Sequence, residues 1–235
     1  VLYIGTRIEH PRAVYDSLFR ATDKLMVRNG VIRFADKVIV VDRLMRNYVT
    51  DRYGLERDRM DFIPVPVDMD RFENCPKADC GSHSHLFLSV GTISNLRNPV
   101  SLVKAIPNVL KEFPKAKFLF IGAIHNQDSV RLAESLNLEE SVKFLGKVNY
   151  EEVPSYLAAC DVEGHDLDTG MGIGLGTLEA MAAGKPVLSS ARADNFIDTP
   201  LENWRNIVLV QPSDTEQIAE AIIRLFSDQK LRETI

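Results

Sequence analysis

The chain has 235 residues, 45% of them hydrophobic, so it can build a sizeable core and is neither disordered nor collagen-like. Its formal net charge of −5 argues against a general nucleic-acid binder, and no apolar run approaches the roughly 20 residues of a membrane-spanning helix. Three cysteines are too few for a disulfide framework, which favours a reducing compartment.

The charge is unevenly distributed along the chain. Residues 1–60 carry 12 Lys or Arg and 8 Asp or Glu, a net charge of +4, whereas the remainder has a net charge of −9. Two interpretations stay open. The two parts have differently solvated surfaces, or the basic part faces an anionic acceptor or a membrane surface.

Residues 1–70 are predicted to belong to a partial α/β domain. A strand is predicted at residues 38–41, followed by a helix that continues to about Tyr53. Residues 62–67 contain two prolines, so this segment is expected to be extended. Residues 71–85 are polar and rich in turn formers, and we predict a linker there.

From residue 86 to residue 235, short apolar runs alternate with helical patterns. Strands are predicted at residues 86–90, 118–121, 142–145, 161–162, 187–190 and 207–210. The last helix is expected to begin after Ser213 or Asp214 as its N-cap. The alternation predicts a doubly wound parallel sheet, which binds ligands at the carboxyl ends of its strands.

Residues 172–187 (GIGLGTLEAMAAGKPV) form the most informative segment. Gly172, Gly174 and Gly176 open a helix, and the unpaired N–H groups and dipole of such a turn suit a phosphate. Glu179 lies in the first turns of this helix, where a carboxylate can accept two ribose hydroxyls. The alternative is a tight strand-to-helix turn with an exposed glutamate.

A second pattern covers residues 89–97. Gly91 stands at a predicted strand end, and Arg97 follows six residues later, before Pro99 and a helix. An arginine there can present two parallel donors to a diphosphate and neutralise its charge as a metal ion would.

These motifs and their order resemble the retaining glycosyltransferases of the GT-B fold, the group 1 family also called glycosyltransferase family 4. Residues 172–187 are similar to the family block E-G-F-G-L-x-x-L-E-A-M-A-x-G-x-P-V, and residues 90–97 to V-G-R-L-x-x-x-K-G. The resemblance covers nearly the whole chain. It implies a Rossmann-like C-terminal donor-binding domain at residues 86–235 and the end of the acceptor-side domain at residues 1–70.

The resemblance also implies roles for individual residues. Glu179 would hold the donor ribose, and Arg97 matches the family's lysine on the donor diphosphate. Further contacts to the donor diphosphate or sugar are implied for Gly91, Thr92, Met171, Gly174, Leu175 and Gly176. The nucleobase is implied to lie against Gly146, Lys147 and Val148.

Two positions depart from the family pattern. Met171 replaces a glutamate that contacts the donor sugar, and Thr92 replaces an arginine. Methionine cannot accept sugar hydroxyls or stabilise an oxocarbenium charge. Two alternatives stay open: Asp168 or Asp166 reaches the same space, or the site is rewired or weakened. A looser match places His10 near the reacting sugar, with a turn histidine before proline as the alternative.

Four soft ligand residues lie within eleven positions: Cys75, Cys80, His83 and His85. They can be read as a zinc site, although the spacing is not one of the usual pairs. A polar linker with two unpaired cysteines is the favoured interpretation, and we expect no metal in the donor site.

The resemblance implies a hexosyltransferase-type glycosyltransferase (EC 2.4) that needs no cofactor. By the same resemblance it would transfer a sugar from a UDP-, GDP- or ADP-sugar to a glycan, lipid or small-molecule acceptor with retention. The expected location is the cytoplasm, or peripheral to a membrane. The replacements at Met171 and Thr92 motivate the alternative of a non-catalytic or regulatory nucleotide-sugar binder. A GT-B epimerase is disfavoured by residues 172–187.

Because GT-B enzymes need two complete domains, the chain is expected to be a fragment that binds the donor without completing the reaction alone.

Overall fold

The computed structural model describes residues 2–4, 22, 25, 27–170 and 172–235. The chain divides into two compact units, Val1–Pro66 with Asp194–Pro200, and Val67–Ala193 with Leu201–Ile235. The first unit therefore includes a short segment from the predicted donor-binding domain. Among the described helices, none combines the length and the apolar character that crossing a bilayer would require.

The first unit contains a small parallel sheet. Its strands, in spatial order, are β1 (Leu2–Ile4), β2 (Val38–Val40) and β3 (Met60–Phe62). Helix α1 (Arg43–Tyr53) begins after Asp42, whose carboxylate accepts a hydrogen bond from the Met45 amide at 2.6 Å. It ends at Gly54, which adopts the left-handed conformation with φ of 67°.

The second unit contains a six-stranded, fully parallel sheet, which confirms the predicted fold class. Its strands are β4 (Leu86–Val90), β5 (Lys117–Ile121), β6 (Val142–Gly146), β7 (Val162–Gly164), β8 (Val187–Ser189) and β9 (Val208–Leu209). Their spatial order is β6-β5-β4-β7-β8-β9. All six predicted strands are present, with ends that shift by at most two residues.

Four helices lie between successive strands: α2 (Val100–Glu112), α3 (Asp128–Ser135), α4 (Val153–Ala159) and α5 (Leu175–Ala182). Helices α6 (Thr215–Ser227) and α7 (Gln229–Thr234) follow β9. Of the two predicted N-caps of α6, Asp214 takes the role, since its carboxylate accepts from the Gln217 amide at 3.0 Å.

A large apolar cluster joins the sheet to helices α2 and α6. The rings of Phe87 on β4 and Phe118 on β5 stack with their centroids 5.7 Å apart. Leu102 and Ile106 of α2 and Ile222 of α6 belong to the same buried cluster. Four consecutive side chains of β4, at residues 86–89, are buried, as expected for a parallel strand covered on both faces.

Candidate functional site

The strand order places a topological switch point between β4 and β7. From β4 the chain proceeds to β5 on one side, and from β7 it proceeds to β8 on the other side. Open parallel sheets bind ligands in the crevice outside the carboxyl ends of the strands at such a point. The carboxyl end of β4 leads into Gly91, and that of β7 leads into His165.

Two glycines allow the strand ends to approach more closely than side chains permit. A Cβ on Gly91 would lie 2.1 Å from Nε2 of His165. A Cβ on Gly122, which has φ of 146°, would lie 1.9 Å from the Gly91 carbonyl oxygen. Any side chain at either position would displace the floor of the crevice, so glycine is required here on steric grounds.

The N-terminus of helix α5 lies in space against the carboxyl end of β4. A Cβ on Gly176 would lie 2.4 Å from the Val90 carbonyl oxygen, so the helix can approach this strand only with glycine there. The helix N-cap is Gly174, and a Cβ on it would lie 3.6 Å from Nη1 of Arg97. The guanidinium thus lies beside the positive end of the helix, an arrangement that attracts an anion.

Asp166 holds Arg97 in this position. Its Oδ2 atom lies 3.5 Å from Nε of Arg97, and its Oδ1 atom accepts a hydrogen bond from the Thr169 hydroxyl at 2.6 Å. Burial raises the pKa of the Asp166 carboxyl, while the Thr169 hydrogen bond and the Arg97 charge oppose that shift. Its φ of 55° is a left-handed conformation that aspartate tolerates better than most residues.

The Asp168 carboxylate lies elsewhere, against the first turn of α2. It accepts from the Ser101 hydroxyl and, at 3.3 Å, from the Ser101 amide. The Ser213 hydroxyl donates to it as well, at 3.2 Å. Of the two aspartates considered from the sequence, Asp166 is therefore the one beside Arg97. The catalytic role of Asp168 stays a prediction.

Sequence reasoning missed Glu163, a fully buried carboxyl group on β7. Its Oε1 atom accepts from the Val90 amide at 3.4 Å, and the Thr177 hydroxyl of α5 also bonds to this carboxyl. Within the described part of the chain, Oε2 has no hydrogen-bond partner. Burial raises the pKa of Glu163 to about 8, so the group is largely protonated at neutral pH.

His165 directly follows β7, two residues after Glu163. Its Nδ1 atom is 3.1 Å from the Ser89 hydroxyl, and its Nε2 atom has no hydrogen-bond partner among the described residues. Burial, aided by the charge of Arg97, lowers its pKa to about 4, so the ring is neutral near pH 7. Two buried titratable groups, Glu163 and His165, therefore lie beside the end of β4 in their uncharged forms.

Glu179 lies on α5 and is 3% exposed, which excludes the alternative of an exposed glutamate. The Tyr150 hydroxyl donates to its Oε1 atom at 2.8 Å, and Nη1 of Arg71 donates to the same oxygen at 3.3 Å. The Arg71 guanidinium lies 3.7 Å from the centroid of the Tyr150 ring. No motif indicated Arg71, but Tyr150 lies two residues after the predicted nucleobase segment.

The other predicted site residues lie on the same edge of the sheet or cannot be placed. Gly146 ends β6 with φ of 70°, and its carbonyl accepts from the Gly122 amide at 2.9 Å. Lys147, Thr92 and Leu175 are exposed, and Val148 is half-buried. Met171 and His10 lie outside the described residues, so their predicted contacts stay predictions.

The Cys and His residues of the predicted linker have separate partners. The Cys75 thiol donates to the Arg71 carbonyl oxygen, and the His85 ring stacks on Phe226 with centroids 4.7 Å apart. Nowhere in the described residues do three or more His, Cys, Asp or Glu side chains gather as metal ligands would.

The fold and the geometry above define a doubly wound α/β domain in which Arg97 and the N-terminus of α5 lie together at the switch point. The family model for "Glycosyl transferases group 1" matches residues 71–235, which is most of the chain. The protein therefore belongs to the group 1 glycosyl transferase family, as its motifs predicted.

Curated relatives of the chain include two mannosyltransferases. A GDP-mannose-dependent monoacylated alpha-(1-6)-phosphatidylinositol monomannoside mannosyltransferase of Corynebacterium glutamicum is 32% identical over 137 residues, 54% of this chain and 34% of that protein. A GDP-mannose-dependent alpha-(1-6)-phosphatidylinositol monomannoside mannosyltransferase of Mycobacterium tuberculosis is 26% identical over 209 residues, 83% of this chain and 53% of that protein. The chain thus spans about half or less of these relatives.

Solved structures support the fold. HepE of Anabaena in complex with UDP and glucose has a TM-score of 0.73 at 21% identity, covering 91% of this chain and 59% of that one. A TarM mutant of S. aureus, crystallised with UDP and other ligands, has a TM-score of 0.74 at 18% identity, covering 99% of this chain and 45% of that one. At these identities the similarity confirms the GT-B architecture alone.

Proposed function

We propose that the full-length protein is a glycosyltransferase that transfers a hexosyl group from a nucleoside-diphosphate sugar to an acceptor, with retention of anomeric configuration. The observation that carries the proposal is the placement of Arg97 beside the N-terminus of α5 at the switch point of the sheet. The relatives named as GDP-mannose-dependent mannosyltransferases support it.

In the proposed reaction, the bond between the sugar C1 and the diphosphate oxygen breaks, and negative charge develops on the leaving diphosphate. The Arg97 guanidinium and the free N–H groups at the start of α5 would stabilise that charge. Asp166 keeps Arg97 in place before the ligand arrives. The proposal assigns this neutralisation to the chain itself and requires no cofactor.

The nucleoside would be held at a second point. Glu179 is buried, and the donors from Tyr150 and Arg71 both reach Oε1, so Oε2 remains for a ribose hydroxyl. Glu179 would thus fix the ribose while Arg97 fixes the diphosphate. The UDP in the HepE and TarM crystals makes a nucleoside diphosphate the natural first ligand to test.

A non-catalytic or regulatory nucleotide-sugar binder is the second candidate. Thr92, at the position of a family arginine, brings no second cation beside Arg97. Diphosphate neutralisation would then be weaker than the family's two cations provide. A protein that only binds the donor would have no catalytic role for His10 and Asp168.

The acceptor and the location are part of the same proposal. The acceptor would be a glycan, a lipid or a small molecule, and the two relatives are named for phosphatidylinositol mannoside acceptors. We propose a location in the cytoplasm, since the three cysteines are free thiols, or peripheral to a membrane through the basic first part.

The test is nucleoside-diphosphate release by the intact protein supplied with UDP-, GDP- and ADP-sugars and candidate acceptors. We expect release with at least one donor, and about a 100-fold lower rate in Arg97→Ala because the charge on the leaving group loses its main cation. Arg205→Ala, at an exposed arginine paired with Glu202, is the matched control with an unchanged rate. Donor binding without any release would favour the second candidate.

A further inference from the structure

Tyr150 is an exposed aromatic ring that the fold holds rigidly. The residue is 53% exposed, whereas aromatic side chains usually bury most of their surface. Its hydroxyl is tied to Glu179, and the Arg71 guanidinium covers one ring face at 3.7 Å from the centroid. The ring is thus fixed at its tip and covered on one face, so a stacking ligand has to take the opposite face.

The backbone around Tyr150 is fixed as well. Nη2 of Arg71 donates to the Tyr150 carbonyl oxygen at 2.9 Å, so one guanidinium holds both the ring and its main chain. Asn149 and Glu152 form a capping box around the short helical turn Tyr150–Glu152. A ligand that stacks on this ring therefore loses little affinity to ordering of the side chain.

The position of the ring suggests its ligand. Glu179, which contacts the Tyr150 hydroxyl, is the carboxylate proposed to hold the donor ribose. The base is attached to that ribose, so a nucleoside bound at Glu179 has its base within reach of the neighbouring ring. Exposed aromatic rings stack on nucleobases, and all bases offer a flat π face for this contact.

We propose that Tyr150 is the stacking platform for the nucleobase of the donor, and that Arg71 is the positioning residue that holds the ring. The inference rests on the proposed function. It assigns to Tyr150 an affinity for nucleosides in general, because stacking scarcely distinguishes one base from another. Under this proposal, contacts between the base and the loop Gly146–Val148 would select among uracil, guanine and adenine.

The test compares ligands with and without a base on the full chain. UDP, GDP and ADP are titrated calorimetrically, with ribose 5-phosphate as the ligand that lacks a base. Tyr150→Phe keeps the ring and loses the hydroxyl, whereas Tyr150→Leu loses both. We expect Tyr150→Leu to weaken nucleotide binding about 10-fold or more and Tyr150→Phe by no more than about 3-fold. The affinity for ribose 5-phosphate should change equally little in the two variants.

Tyr156→Ala, at a half-buried tyrosine on α4, is the control for general loss of an aromatic side chain and should leave nucleotide affinity near that of the wild type. Equal losses in Tyr150→Phe and Tyr150→Leu would assign the effect to the hydroxyl and overturn the inference. Unchanged nucleotide binding in Tyr150→Leu would overturn it while leaving the proposed function intact. A wild-type chain that binds none of the nucleotides would overturn both.

Discussion

Glu163 on β7 and His165 just after it are buried ionisable side chains, and their pKa values shift in opposite directions. The pKa of Glu163 rises from 4.5 to about 8, so between these pH values the folded state holds a proton that the unfolded state lacks. Stability therefore falls as the pH rises through this window. The pKa of His165 falls from 6.5 to about 4, so its contribution is lost as the pH falls through that window.

Replacing Glu163 by Gln removes the first of these effects. Glutamine is uncharged at every pH and has nearly the shape of the protonated acid, so Glu163→Gln should resemble the wild type at pH 5. By pH 9 it should be more stable by on the order of 3–5 kcal/mol, since one pKa unit is worth about 1.4 kcal/mol. Urea unfolding at both pH values measures the difference.

Glu139→Gln, at an exposed position, is the control and should change stability little at either pH. A stability difference between Glu163→Gln and the wild type that is the same at pH 5 and pH 9 would contradict a buried, protonated Glu163.

Glu179→Ala tests the proposed ribose contact. The substitution removes a charged acceptor from the nucleoside site and should weaken nucleoside-diphosphate binding by about 1.5–3 kcal/mol. That loss corresponds to roughly a 10- to 150-fold rise in Kd. Calorimetric titration measures it, and an unchanged Kd would refute the assignment of Glu179.

At the level of elements, the junction of α5 with β4 depends on one glycine. Gly176→Ala would place a Cβ 2.4 Å from the Val90 carbonyl oxygen, a backbone atom that cannot move aside cheaply. We expect a loss of about 1–3 kcal/mol in unfolding free energy, as in overpacked cores. Nucleotide affinity should fall too, because the helix N-terminus moves away from the strand end.

Gly174→Ala is the matched control for stability, two residues earlier. Its Cβ would lie 3.6 Å from Arg97 Nη1, an ordinary contact, and Gly174 has φ of −84°. Thermal or urea unfolding should show a smaller loss than in Gly176→Ala. Equal losses in the two variants would mean that the close approach to β4 does not decide stability.

The strands of the second unit were predictable because apolar runs ending in glycine alternate with helical patterns. The buried polar face of β7 was not. Glu163 on β7 and His165, the first residue after it, alternate with Val162 and Gly164, a pattern typical of a strand with one face in water. In this sheet helices cover both faces, so the polar face is buried as well.

The contacts of Glu179 were also beyond prediction. Arg71 and Glu179 are 108 positions apart, and only the folded sheet brings them together. Local motifs marked Arg97, Gly174 and Glu179 because the turn and the helix start are encoded within a few residues. The approach of Arg97 to Gly174 across the crevice required the fold.

At the level of the whole molecule, the charge asymmetry leads to a prediction about membranes. If the basic first 60 residues contact anionic lipid, the chain should co-sediment with phosphatidylglycerol vesicles at low salt. Binding should fade as the salt concentration rises, because exposed charges are screened. Phosphatidylcholine vesicles are the control. No sedimentation with the anionic vesicles at low salt would exclude the contact.

The central claim is that the switch-point crevice of this chain binds the diphosphate of a nucleotide through Arg97. Calorimetric titration of UDP, GDP and ADP into the wild-type chain and into Arg97→Ala tests it most directly. At least one nucleotide should bind the wild type, and its Kd should rise at least 10-fold in Arg97→Ala because a charged, bidentate donor is lost. Equal affinity in the two chains, or no binding by either at millimolar concentration, would contradict the account.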